Sequence, residues 1–321
     1  MPILQVEQLT TNYRIMRGWV RAAEDVSFNI EKGEAMGLVG ESGCGKTTVA
    51  LSILKLLPPS GRIRSGKILF DGKDLVRLSE NQIRKIRWKG IATVFQGSMN
   101  ALNPVFKVGD QIVEAIKTHE PDVSGSAAKE RTASLLEMVG IDSSRVDNYP
   151  HEFSGGMRQR ALIAMALAVN PDVLIADEPG TALDVVVQAQ ILKLLRQLKN
   201  KLNLGMIMIS HDLSIVAETC EKIAVMYAGH LVEYGSTQAV FDRPLHPYTQ
   251  GLLGAFPSIK GERKELISIP GQPPDLLAPP PACRFHPRCP YIMEVCRKVD
   301  PKLFPAEGQD HLVSCHLFPQ A

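Results

Sequence analysis

Apolar and polar residues alternate near the start of the chain. Ile3-Leu4-Gln5-Val6 and Asp25-Val26-Ser27-Phe28-Asn29-Ile30 show the period of two that half-buried strands have. Glu31-Lys32-Gly33-Glu34 is a turn signal, and Ala35-Met36-Gly37-Leu38-Val39 is continuously apolar, as a strand covered on both faces is. A glycine-rich loop follows. A helical pattern then runs over 47–57 and stops at Pro58-Pro59, and Lys67-Ile68-Leu69-Phe70 before Asp71-Gly72 predicts a strand and turn. From about 97 to 169 the pattern is mainly helical, with loops at Glu120-Pro121 and at 147–150. Strand signals return at Val173-Leu174-Ile175-Ala176, Met206-Ile207-Met208-Ile209 and Ile223-Ala224-Val225-Met226, with a helix over 185–202 between the first two. Buried strands alternating with helices predict an α/β fold: a parallel sheet with helices on both faces. Beyond about residue 241, closely spaced prolines break any long element, so an extended tail wrapped on the body is expected.

Composition narrows the picture. With 321 residues, 45% hydrophobic and 22% charged, the chain is an ordinary globular one and not a disordered or fibrous one. The longest apolar run, 161–169, falls short of the roughly 18 residues that a membrane span needs. The first ten residues lack a basic region and carry Glu7, so no signal peptide is expected. A net charge of +2 does not call for a nucleic-acid partner. Cys44 and Cys220 stand alone, whereas Cys283, Cys289, Cys296 and Cys315 crowd the C-terminal end. Without an export signal a reducing compartment is expected, where clustered cysteines bind metal more often than they pair.

Three motifs carry candidate chemistry. Gly40-Glu41-Ser42-Gly43-Cys44-Gly45-Lys46-Thr47 fits G-x-x-x-x-G-K-[ST] between a buried strand and a helix. Its glycines let backbone N–H groups turn inward around a phosphate, and the helix offers unsatisfied N–H groups and a positive dipole end. Lys46 suits the β- and γ-phosphates, and the Thr47 hydroxyl suits Mg²⁺. Second, the apolar run from Val173 ends in Asp177-Glu178, which an open α/β sheet would aim at its ligand crevice. There Asp177 would hold Mg²⁺ through water, and Glu178 would accept a proton from attacking water; the plainer alternative is a helix-capping pair before Pro179. Third, Ser154-Gly155-Gly156-Met157 opens a helix and makes a second anion site. One nucleotide does not need two cradles from the same subunit, so the second is expected to serve a nucleotide held by another copy; a simple N-cap accounts for Ser154 but not for the paired glycines.

With these motifs in place, residues 3–241 resemble the ATP-binding cassette (ABC) family. The resemblance implies a P-loop NTPase with an ABC-type nucleotide-binding domain over 1–241, an antiparallel β subdomain and a helical subdomain at about 97–169. It implies that Tyr13 stacks on adenine and that ATP lies against residues 40–47 and Thr48. Gln96 would contact Mg²⁺ and the attacking water, Asp184 would cross a dimer interface, and His211, in Ser210-His211-Asp212, would contact the γ-phosphate. Some positions depart from the pattern: Phe153 and Met157 stand where leucine and glutamine are frequent, Gly180 where threonine or serine is common, and Gly97-Ser98 where an acidic residue and proline are. None removes a group needed for chemistry.

The tail segments 243–253 and 283–290 resemble the oligopeptide/dipeptide importer branch of the family, and the cysteine pattern is similar to that of the branch's D-type ATPase subunits. The resemblance implies an ATPase subunit, peripheral on the cytoplasmic face of the membrane, that powers uptake of di- or oligopeptides or related small solutes. Its partners would be a sibling ATPase subunit (a homodimer in isolation being the alternative), two transmembrane permease subunits and, indirectly, an external solute-binding protein. The spacing C-x5-C-x6-C-x18-C over Cys283, Cys289, Cys296 and Cys315 suits either tetrahedral zinc or a [4Fe–4S] cluster; His286, His311 and His316 are further zinc candidates, and free thiols filling a small core are the plain alternative. The branch implies [4Fe–4S], hence a proline-rich, metal-stapled C-terminal extension over 242–321. Two other functions compete: a soluble ABC ATPase of DNA repair or translation, and a non-hydrolysing ATP or iron–sulfur sensor. One cassette with room only for a compact helical insertion argues against the first, and the presence of both Glu178 and His211 argues against the second.

Overall fold

The computed structural model describes residues 1–95, 97, 101–255, 269–306 and 310–318. In chain order its elements are β1 (Leu4–Ile15), β2 (Gly18–Ile30), β3 (Ala35–Val39), α1 (Lys46–Ile53), β4 (Gly61–Phe70), β5 (Lys73–Asp74), α2 (Glu80–Arg84) and β6 (Ile91–Val94). Then come α3 (Val108–His119), α4 (Gly125–Met138), α5 (Gly155–Ala166), β7 (Val173–Asp177), α6 (Val185–Leu202), β8 (Gly205–Ser210), α7 (Leu213–Thr219), β9 (Lys222–Tyr227) and β10 (His230–Ser236). The chain ends with α8 (Thr237–Asp242), α9 (Pro247–Gly254), β11 (Phe304–Pro305) and β12 (Leu312–Val313). These residues form two compact units, one of 1–3, 30–34 and 77–208, the other of 4–29, 35–76 and 209–321. No helix among the described residues is long and apolar enough to cross a membrane.

The first unit holds the helical stretch. Val108, Ile112, Ala115 and Ile116 fall on one face of α3 and are buried, as an amphipathic helix requires. Ser124 caps α4 by accepting from the Ala127 N–H at 3.2 Å. Strands β6 and β7 pair in parallel from Ile91↔Val173 to Val94↔Ala176. Every residue of β7 is buried, which is why the run from Val173 to Ala176 is continuously apolar and not alternating. Helix α6 has the bounds its periodicity predicts, and it ends where Asn203 takes a left-handed conformation (φ 53°).

The second unit carries an antiparallel sheet of order β2-β1-β4-β5 and the strand series β11-β12-β10-β9-β3. Strands β3 and β9 pair in parallel, Met36↔Lys222 to Val39↔Val225, as the apolar runs predict. Helix α1 is shorter than its pattern: it stops at Ile53 because Lys55 adopts φ 50°. The Lys55 and Leu56 amides then close back on Ser52 O (3.1 Å) and Leu51 O (2.8 Å). That is a Schellman turn with lysine where glycine is usual, so the sequence carries no stop signal there.

Among its described residues the tail holds more regular structure than its prolines suggest. Pro247 sits in the first turn of α9, where its missing N–H costs nothing, and the His246 ring caps that helix. Strand β12 extends the sheet edge by pairing with β10, and β11 pairs in turn with β12. Leu245, Val313 and Cys315, flanked by Phe304, Ala306 and Phe318, make a small apolar core of the tail.

Candidate nucleotide site

In the second unit, β3 delivers the chain into the loop at residues 40–45, and α1 begins at Lys46. Two glycines are obligatory for steric reasons. Gly40 (φ 148°) would place a Cβ 2.1 Å from the Met226 carbonyl, and Gly45 (φ 110°) would place one 2.0 Å from the Ala22 carbonyl. Gly45 is also the N-cap of α1, so the helix's open N–H groups face into the loop. Lys46 is buried, and its ammonium donates to Gly40 O at 2.6 Å, Glu41 O at 3.0 Å and Cys44 Sγ at 3.7 Å. All three partners are neutral. The loop therefore surrounds a buried lysine that, among the described residues, no carboxylate touches, next to a helix N-terminus, and this arrangement favours an anion. Cys44 is itself buried, which pushes its thiol up.

Thr47, Ser42 and Gly43 lie on the exposed side of the loop, whereas Thr48 is buried and accepts a hydrogen bond from the Tyr13 hydroxyl at 3.3 Å. The Tyr13 ring packs on Gly61, its cross-strand neighbour in β4, where a Cβ would come within 2.9 Å. An aromatic ring is thus tied to the helix that opens the phosphate loop. His211 is exposed just after β8, and Asp212 caps α7 through the Ser214 N–H at 2.8 Å.

The first unit holds the other candidates. Asp177 ends β7 and is buried. Glu178 takes φ 46°, a left-handed conformation costly for a non-glycine residue, and accepts from the Thr181 hydroxyl at 2.8 Å. Gly180 has a packing reason: the Gln188 side chain occupies the space a Cβ would need, at 2.5 Å. Asp184 caps α6 by accepting from the Val187 N–H at 2.9 Å, and Val185 and Val186 beside it are strongly exposed. Ser154 caps α5 through the Met157 N–H at 3.3 Å, and a Cβ on Gly156 would meet Val187 at 2.6 Å, so the starts of α5 and α6 pack closely. Gly155 and Met157 are half-buried in that first turn. Gln96 lies outside the described residues.

The structure does not support the metal-stapled tail. The four thiols sense one another electrostatically, and burial pushes Cys283 up to about 12 and Cys315 up to about 11. Yet among the described residues no three His, Cys, Asp or Glu side chains are arranged to hold a metal ion, so the structure lends no support to [4Fe–4S] or Zn²⁺. The histidine candidates are engaged elsewhere: His286 with the Cys283 carbonyl (2.8 Å), His311 with Glu233 (2.8 Å) and His316 with the Val299 carbonyl (2.9 Å). Side-chain contacts hold the tail to the body. Fully buried Glu233 accepts from the Leu245 and His246 N–H groups, both at 2.8 Å, as well as from His311. Phe285 packs edge-on against Tyr227 and Tyr248 at 5.1 and 5.6 Å. Arg284 pairs with Glu24 and donates to the Ala228 carbonyl. Glu233 and Glu24 escaped the sequence analysis; the only signal was charge inside otherwise apolar stretches.

Comparison with known proteins agrees with the loop geometry. The family model described as "ABC transporter" matches residues 23–181, and that described as "Oligopeptide/dipeptide transporter, C-terminal region" matches 232–296. The chain is 47% identical to the dipeptide transport ATP-binding protein DppD of Bacillus subtilis, covering 99% of this chain and 95% of that protein. It belongs to the ABC transporter family. The DppD of Caldanaerobacter subterraneus is 44% identical, with 99% and 98% covered. Among solved structures, the dimeric post-hydrolysis form of the ATP-binding cassette MJ0796 bound to ADP and Pi superimposes with a TM-score of 0.65 at 26% identity, covering 73% of this chain and 98% of that one. The ABC assignment accounts for a phosphate loop on a buried strand. It also accounts for the N-terminal antiparallel sheet that carries Tyr13.

Proposed function

We propose that this chain is the ATP-hydrolysing subunit of an ABC importer for di- or oligopeptides or related small solutes, acting on the cytoplasmic face of a membrane. The observation that carries this reading is full-length identity of 44–47% to dipeptide transport ATP-binding proteins, extending through the C-terminal region. On this reading residues 1–241 are the nucleotide-binding domain, with a helical subdomain at about 97–169, and 242–321 are the importer-specific extension. Its partners are two permease subunits and a sibling ATPase subunit, with a solute-binding protein outside; nucleic acid has no part.

Adenine stacks on Tyr13, while Lys46 and the N–H groups of the loop, with Thr48 behind them, take the phosphates. Thr47, Asp177 and Gln96 would supply the hard oxygen donors that Mg²⁺ prefers, and the ion would neutralise β- and γ-phosphate charge. Glu178 takes a proton from water as its oxygen bonds to the γ-phosphorus and the bond to the β-γ bridging oxygen breaks. His211 steadies the charge that develops. Ser154, Gly155, Gly156 and Met157 of a second cassette close over the γ-phosphate, with Asp184 at that interface. The dimeric cassette with ADP and Pi and the exposed Val185 and Val186 both support such closure. Loss of the γ-phosphate reopens the pair and moves the permeases.

Glu178→Gln tests the assignment. Its steady-state hydrolysis should fall by about 10²-fold or more, with ATP still bound and a closed dimer accumulating on size exclusion. Wild-type turnover in that variant removes Glu178 from the role of base.

A further inference from the structure

Glu41 presents a puzzle that the ATP-site reading leaves open. It places a carboxylate in the loop meant to hold a triphosphate, where like charge would be repelled. We infer that Arg288, in the C-terminal extension, is a positioning residue for this loop: it holds and neutralises Glu41, so that ATP affinity depends on the extension. The inference rests on the ATP-site reading and concerns residues of one compact unit.

The guanidinium meets the carboxylate side-on, Nη1 to Oε2 at 2.8 Å and Nη2 to Oε1 at 3.0 Å, a fork-to-fork geometry. Its other donors are also placed: Nε to the Pro270 carbonyl at 2.8 Å, Nη1 to the Tyr227 hydroxyl at 3.4 Å and Nη2 to the Gly271 carbonyl at 3.4 Å. Five N–H groups thus find five acceptors, and the side chain is only 6% exposed. The guanidinium carbon also lies 5.7 Å from the Tyr227 ring centroid. A surface ion pair that happened to form would not be so completely enclosed.

Glu41 is gripped at its backbone as well. Its N–H donates to the Tyr248 hydroxyl at 2.9 Å, and its carbonyl accepts from Lys46 Nζ at 3.0 Å. Tyr248, on α9, is fully buried. One residue of the loop is therefore set by an arginine and a tyrosine of the extension and by the lysine expected to meet the phosphates. A second brace comes from Arg284, which holds the Ala228 carbonyl; the next residue, Gly229, donates its N–H to the Cys44 carbonyl at 2.9 Å.

The test uses the full-length chain titrated with the fluorescent nucleotide mant-ATP in the presence of MgCl₂, together with ATPase kinetics. R288Q should weaken binding about tenfold, equivalent to about 1.4 kcal/mol, with the loss falling on KM more than on kcat. R288K should recover only part of the affinity, since an ammonium cannot form the fork. Adding E41Q to R288Q should restore affinity, because the unpaired carboxylate is then gone. Binding by R288Q within twofold of wild type, or R288Q and E41Q losses that simply multiply, overturns the proposal. If R288Q does not fold, Y248F replaces it: about threefold weaker binding is expected, and unchanged binding overturns the proposal. A wild-type chain that binds no nucleotide would instead sink the ATPase reading itself, so the two failures are distinct.

Discussion

Acid should loosen the C-terminal extension through a single residue, His246. Its ring is buried, and Nδ1 accepts the Tyr248 N–H at 3.0 Å. A backbone N–H can only donate, so this ring must be neutral to cap α9. Burial pulls its pKa from 6.5 down to about 4, against the opposing pull of the Glu233 carboxylate. The folded value lies below the unfolded one, so between these values the unfolded chain carries a proton that the folded chain does not. Stability from this residue is therefore complete above about pH 6.5 and drains away as pH falls toward about 4. At about 1.4 kcal/mol per unit, going from neutral pH to about pH 5 removes roughly 2 kcal/mol. His246→Asn keeps a capping side chain but does not titrate. Urea-unfolding midpoints of both proteins at about pH 7.5 and about pH 5 should show the wild type losing roughly 2 kcal/mol more than the variant. Equal losses in the two proteins would refute the assignment of a neutral, capping His246.

Two further perturbations test the loop and the tail. Gly45→Ala would force a Cβ to within 2.0 Å of the Ala22 carbonyl at a left-handed φ, so mant-ATP binding should vanish while the far-UV circular dichroism changes little. A variant that binds normally would show that the loop adapts. Glu233→Gln preserves shape but turns an amide N toward one of three donors, and urea unfolding should show a loss of about 2 kcal/mol. A change below about 0.5 kcal/mol would remove Glu233 as the anchor of α9.

The amino-acid sequence carried the chemistry because the chemistry is contiguous. Eight consecutive residues from Gly40 to Thr47 specify a strand, a tight loop and a helix start, and each of their signals is local. The bounds of α6 were readable for the same reason, since Asp184 at its start and Asn203 at its end announce themselves as caps. The end of α1 was not, because Lys55 adopts a left-handed conformation that its identity does not advertise. Strands β11 and β12 were also invisible, two residues each being too few to show a period.

The tail divides the two kinds of information most sharply. The cysteine spacing permitted a metal staple, but spacing along the chain does not fix distance in space, and the described side chains form no metal-holding group. Tertiary structure alone decided what anchors this segment. It brought Arg288 to Glu41 across 247 positions and closed His246, His311 and Glu233 around the start of α9. The physical reason is that a buried charge is tolerable only where partners from distant segments converge on it, and that convergence is a property of the packed chain rather than of any window along it.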